Sequence, residues 1–168
     1  MTVRVLGVDP GTLVTGFGVI AVVSGGVRHV AHGTIRTRSK DPLWVRITTI
    51  HDALVDLIAD HRPDALSLER CFVGKNIQSA LKLGHTRGAI MVAATAASME
   101  VAEYAPTAIK QAVTGRGRAE KNQVAEMVKM ILGLPDVPQS DAADALAAAI
   151  THVHGDRSRL VPFKEGRL

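Results

Sequence analysis

Leu6-Gly7-Val8-Asp9-Pro10-Gly11-Thr12 is an apolar, β-prone run that ends in an acid and breaks at once into a Pro-Gly turn. With Val3 and Val5 ahead of it, residues 3–8 read as a strand that is apolar on both faces, the pattern of a central strand. Asp9 then falls at the end of a buried strand. A carboxylate there must be paired, hydrogen-bonded or bound to a cation, because burying a lone charge is costly. Taken alone, the stretch leaves two readings open. Asp9 is a metal ligand on which later acids converge, or it merely starts a turn, a role that Asp and Pro both favour.

Downstream of the turn, residues 15–23 read as a second strand, Gly25-Gly26 as a hairpin and residues 27–36 as a third strand, giving an antiparallel meander. Asp41 is a capping candidate and Pro42 fits a first helical position. Leu43, Ile47, Ile50, Leu54, Leu57 and Ile58 follow at helical spacing until His61-Arg62-Pro63 stops the helix. Residues 65–68 form a short strand that runs into Glu69, the second time an apolar strand meets an acid.

Residues 70–99 hold no Asp or Glu but carry Arg70, Lys75, Lys82 and Arg87. A long helix is expected over residues 76–98, with Lys75, Gln78, Ser79, Lys82 and Thr86 on one stripe. That stripe is either a solvated face or an anion-facing surface, and the lack of acids favours the second. Gly84 and Gly88 would let another backbone approach. Residues 101–104 read as a strand closed by Pro106, and residues 107–113 as a short helix carrying Lys110. Gly115-Arg116-Gly117-Arg118 reads as a flexible basic loop, and residues 119–132 as a helix with Lys121 near its start. The last helix, residues 140–154 with Ser140 as its cap, carries Asp141 and Asp144 on one face. Acids in a first turn offset the helix dipole. The rest of this helix is nearly all Ala, Leu and Ile, however, so two acids on a buried helix need a further reason.

The chain has 168 residues, enough for one domain. That domain is assigned to residues 1–155. Residues 156–168, with Arg157, Arg159, Lys164 and Arg167, read as a loose basic tail. Apolar residues make up 46%, which argues against disorder, and Cys71 alone excludes an internal disulfide. Arg4 and Asp9 interrupt any secretory signal, and the longest apolar run, residues 89–97, falls short of the roughly 20 residues that span a bilayer. A cytoplasmic protein is expected. The net charge of +4 suggests an anionic partner.

If strands one and four are neighbours, Asp9 and Glu69 lie side by side, and the last helix brings Asp141 and Asp144 over them. Clustered carboxylates resist ionising, and hard divalent cations such as Mg²⁺ remove that conflict. Two such ions activate a water and stabilise the leaving oxygen of a phosphodiester. Lys121 would steady the phosphate. The sequence holds neither a His/Cys zinc spacing nor an arguable Ser-His-Asp order.

At this point the residues resemble the RuvC family of bacterial Holliday-junction resolvases, over about residues 3–154. Five ordered motifs carry the resemblance: Gly7-Val8-Asp9-Pro10-Gly11 with Val14-Thr15-Gly16-Phe17-Gly18; Glu69-Arg70-Cys71-Phe72 with Lys75-Asn76 and Ser79-Ala80-Leu81-Lys82-Leu83-Gly84; Lys110-Gln111; Ala119-Glu120-Lys121; and Asp141-Ala142-Ala143-Asp144-Ala145-Leu146. The resemblance implies an RNase H-like α/β fold, with a mixed five-stranded sheet of three antiparallel and two parallel strands. It implies a Mg²⁺-dependent endonuclease, two ions per site with Mn²⁺ able to substitute, acting as a homodimer on four-way junction DNA with a branch-migration motor as partner. Asp9, Glu69, Asp141 and Asp144 match the metal-binding catalytic acids, and Lys110 and Lys121 the basic residues near the scissile phosphate. Phe72 matches an aromatic used on DNA bases. Lys75, Lys82, Arg116 and Arg118 are further expected DNA contacts. An RNase H-type nuclease on the same fold is the alternative enzyme. An actin-type phosphate-binding ATPase would need two lobes and a second Asp-x-Gly motif, which the chain lacks.

Overall fold

The computed structural model describes residues 2–70 and 76–155. Expectations resting on Cys71, Phe72, Lys75 and the basic tail lie outside the described residues.

Strand β1 (Arg4–Asp9) is the centre of a five-stranded sheet, flanked by β2 (Val14–Val23) and β4 (Ala65–Glu69), with β3 (Gly26–Arg36) and β5 (Glu100–Tyr104) at the edges. β1, β2 and β3 pair antiparallel, whereas β4 runs parallel to β1 and β5 parallel to β4. The expected mixed sheet is thus present. Helices α1 (Leu43–His61) and α2 (Ile77–Ala96) cover one face. Helices α3 (Pro106–Thr114), α4 (Lys121–Leu132) and α5 (Ser140–Gly155) cover the other. Alternation along β1 feeds both layers. Leu6 and Val8 pack with α1 and α2, while Val5 packs with α3, α4 and α5. Among the described residues no helix is long and apolar enough to cross a membrane.

Three helix starts differ from the sequence reading. Pro42 is the cap of α1 rather than its first helical residue, because its backbone is extended (ψ 152°) and its carbonyl accepts from the Arg46 N–H. Asp41 makes no cap and instead faces Arg38 at 3.8 Å. α4 begins at Lys121 because Glu120 and Gln123 form a reciprocal capping box in front of it. Gln139, not Ser140, caps α5: its side-chain oxygen accepts from the N–H groups of Asp141 and Ala142 at 2.9 and 3.2 Å. The Gln139 side chain is long enough to fold back over two free donors of the first turn.

α5 lies almost on the backbone of β1 and β2. A Cβ built on Gly7 would stand 1.9 Å from the Ala145 carbonyl oxygen, and one on Gly16 1.9 Å from that of Asp141. Ser67 of β4 donates to the Ala148 carbonyl at 2.7 Å, a fully buried tie between sheet and helix. Backbone cannot yield as a side-chain end can, so Gly7→Ala should push α5 off the sheet. Overpacking of this kind costs about 1–3 kcal/mol or more. A urea melt of Gly7→Ala with a midpoint equal to that of the wild type would refute the close packing.

Candidate active site

Strand parity places the first two acids. Gly7 faces α5, so Asp9, two residues on, faces it too; Ser67 reaches α5, so Glu69 does as well. The β1–β4 register runs to Val8 opposite Leu68, and Asp9 and Glu69 follow one step beyond, side by side at the strand ends. The turn after Asp9 is closed by Thr15, whose hydroxyl donates to the Gly11 carbonyl at 2.7 Å and whose side chain is fully buried. Asp141 and Asp144 stand one turn apart at the start of α5, which crosses the same sheet end because Gly16, paired with Asp9, lies under the Asp141 carbonyl.

These carboxylates feel one another. Asp9 is pushed up to about 7, first by burial and then by Asp144, Asp141 and Glu69, with Lys121 acting in the opposite direction. Glu69 is also raised, by burial and then Asp144, and is held back by Lys121, Lys110 and Arg87. Lys121 donates to Asp144 at 2.9 Å, and that hydrogen bond raises its own pKa. The pair is largely solvent-exposed on the lysine side, so its contribution to stability is small. Gln139 donates to the Asp141 carboxylate at 2.6 Å.

Asp9, Glu69, Asp144, Lys110 and Lys121 line one cavity of about 150 Å³, with Pro106, Ile109 and Val124 as its apolar wall. The capping box fixes Lys121 at the mouth of α4, and the Pro106 start of α3 places Lys110 one turn inward. Asp141 does not line this cavity, although it is near enough to raise Asp9. Among the described residues no three acids are closed around one point as a finished metal cage. Asp144 is turned to Lys121 and Asp141 to Gln139. The donor set still fits a hard divalent cation: it is all carboxylate, and burial together with repulsion from the neighbouring acids pushes Asp9 up to about 7, a conflict that a cation relieves.

Other expected contacts lie apart from the acids. Lys82, Arg116 and Arg118 are exposed and do not line the cavity. Thr86, expected on the anion-facing stripe of α2, is fully buried, and its hydroxyl bonds back to the Lys82 carbonyl. Arg87 is buried as well and is paired with Glu103, so it adds nothing to a basic surface. The Gly115–Arg118 loop is not slack: Gly115 caps α3 in the left-handed region at φ 74°, and Thr114 bonds to both backbone groups of Arg116. Sequence reading missed Gln139 and Arg87. A polar residue just ahead of Ser140-Asp141 could have pointed to the first. Glu103, an acid inside a short strand, could have pointed to the second.

The architecture and this acid cluster define a nuclease of RNase H-like fold. The family model described as crossover junction endodeoxyribonuclease RuvC matches residues 5–152. The chain is 52% identical over 151 residues to the crossover junction endodeoxyribonuclease RuvC of Syntrophotalea carbinolica, covering 90% of this chain and 94% of that one. To the Shewanella piezotolerans protein of the same name it is 51% identical over 154 residues, covering 92% and 88%. The solved structure of T. thermophilus RuvC in complex with Holliday junction substrate superposes with a TM-score of 0.88 at 37% identity, covering 93% of this chain and 96% of that one. The yeast mitochondrial Holliday junction resolvase Ydc2, at 13% identity and a TM-score of 0.65 over 90% and 79% of the chains, shares the fold. The chain belongs to the RuvC family of crossover junction endodeoxyribonucleases.

The raised Asp9 pKa gives a pH signature. A carboxyl raised from 3.8 to about 7 on folding favours the fold when neutral, and that contribution is lost as pH rises through this interval. Asn is neutral throughout. In chelator, the melting temperature of Asp9→Asn should therefore climb relative to wild type between pH 4 and 7 and level off above. A difference independent of pH would show that Asp9 is not raised.

Proposed function

We propose that this protein resolves Holliday junctions by two symmetric nicks, through divalent-metal-assisted hydrolysis of phosphodiester bonds at the acid cluster. The observation that carries this reading is the meeting of Asp9, Glu69 and Asp144 with Lys110 and Lys121 around one small cavity. Asp9, Glu69, Asp141 and Asp144 would hold the metal, Mg²⁺ or Mn²⁺, with two ions per site. When bound, such ions supply an activated water and stabilise the leaving oxygen. The chain's own residues do the rest. Lys110 and Lys121 bring positive charge to the scissile phosphate. Pro106, Ile109 and Val124 limit water on one side, which strengthens every charge interaction inside. Lys82, Arg116 and Arg118, all exposed, would contact the arms of the junction, Lys75 is a further proposed DNA contact, and Phe72 would stack on bases near the crossover.

A wild-type assay should nick a labelled four-way junction with Mg²⁺, stop in chelator, and leave linear duplex and RNA–DNA hybrid largely intact. Preferential cleavage of the hybrid would favour the RNase H-type alternative. Asp9→Asn should lose at least 100-fold in nicking rate, on the order of what removing one key catalytic group costs, while still binding the junction. Full cleavage by this variant would sink the metal-site assignment.

Symmetric nicking needs two active sites, and α2 offers a pairing surface. Ile77 and Leu81 are 66% and 55% exposed, and nothing stands within 4 Å of a Cβ placed on Gly84 or Gly88. These residues line one apolar groove with Ala80 and Ala89, which a second copy would cover to form the homodimer. Light scattering should give a dimer for the wild type and a monomer for Leu81→Glu. A dimeric variant would move the interface elsewhere. The protein would act on recombining DNA in the cytoplasm, alongside a branch-migration motor.

A further inference from the structure

Glu69 has an unusual support on the face of the sheet opposite its carboxylate. Arg87 of α2 is only 8% exposed, and its guanidinium donates to the Glu69 main-chain carbonyl at 2.5 Å. The other arm of the same guanidinium pairs with the Glu103 carboxylate on β5. Glu103 is in register with Leu68, so it points into the α1–α2 layer, away from the acid cluster.

We propose that Arg87 is the positioning residue for Glu69, tying the end of β4 to β5 from behind so that the Glu69 carboxylate stands at the metal site. This rests on the reading of Glu69 as a metal ligand. The need for such a tie is geometric. β4 is held to β1 only as far as Leu68, and its ladder with β5 ends at Glu69 and Tyr104. Beyond lies a single backbone bond, from the Arg70 N–H to the Tyr104 carbonyl at 2.7 Å. Glu69 is therefore the last residue of its strand, one step beyond the last pair with β1, and is itself paired only to β5. Functional side chains must be held to within about 0.5 Å. A strand end secured along one edge alone does not meet that requirement. The planar guanidinium presents several donors in a fixed fork, so one side chain can grip the Glu69 carbonyl and the Glu103 carboxylate together. A lysine ammonium keeps the charge without the fork. Arg87 never enters the cavity and does not touch the reacting atoms.

The test uses the full chain with Arg87→Lys and Glu103→Gln, each compared with wild type in four measurements: melting temperature, junction binding in chelator, Mn²⁺ affinity by calorimetry without DNA, and single-turnover nicking across Mn²⁺ concentrations. Partners that orient metal ligands typically contribute about 10–100-fold in metal affinity. Arg87→Lys should bind the junction as wild type does, bind Mn²⁺ 10–100-fold more weakly, and recover nicking as Mn²⁺ is raised. Glu103→Gln, which keeps an acceptor but frees the fork, should show the same effect more weakly. A lowered melting temperature with unchanged Mn²⁺ affinity in the folded protein would assign Arg87 to stability alone and overturn the proposal. If Arg87→Lys fails to fold, the Glu103→Gln affinity decides. Wild-type protein that binds no Mn²⁺ would overturn the metal-site reading itself, whereas wild-type binding matched by both variants would overturn only the role of Arg87.

Discussion

Helix α5 rests on the bare backbone of β1 and β2, and the rest of the structure depends on that contact. Gly7 and Gly16 leave no side chain between strand and helix, so Ala145 and Asp141 carbonyls lie where a Cβ would be. Ser67 then fastens β4 to the same helix. Where the backbones come this close the helix carries small residues, Ala145 and Ala149 over Gly7, and the larger Leu146 is seated over a third bare position, Gly18 of β2. The helix also delivers Asp141 and Asp144 to the ends of β1 and β4, where Asp9 and Glu69 already stand.

That delivery carries a cost in charge. Burial of the Asp9 carboxyl and, after it, repulsion from Asp144, Asp141 and Glu69 push Asp9 up to about 7. Lys121 and Gln139 take up part of the strain by bonding to Asp144 and Asp141. Folding has therefore built a site whose own residues are poorly satisfied without a cation, a common feature of functional sites. The two faces of the sheet divide the labour. The α5 face holds the acids, and the α1–α2 face holds Arg87 and Glu103 behind them.

Membership in the RuvC family gives this arrangement its biochemical context, and the spatial grouping refines it. Lys110 and Lys121 share the cavity with the acids, whereas Lys82, Arg116 and Arg118 lie on open surface away from it. On the proposed reading, cations of these two groups would meet DNA in different ways: the first would act on the phosphate at the site of chemistry, and the second would add a salt-sensitive grip on the arms.

The elements and the candidate acids were legible along the chain. Short apolar runs ended at Asp9 and Glu69, helical spacing marked α1 and the inner positions of α4, and a run of Ala, Leu and Ile behind a polar start marked α5, because these patterns follow from local backbone geometry. That Asp141 and Asp144 share a helix face was legible too, since a three-residue step is a local property. Which charges are surface and which are internal emerged only from the packing of helices on the sheet. Arg87 and Lys82 look alike along the chain, yet one is buried against Glu103 and the other is exposed, because burial depends on which strand a helix covers. The cap of α5 fell to Gln139 for a similar reason: competing polar side chains at a helix start are separated by three-dimensional reach, not by type. The close seat of α5 on Gly7 and Gly16 was equally hidden. A glycine in a strand reads as a weakness until the helix that needs its missing Cβ is in place.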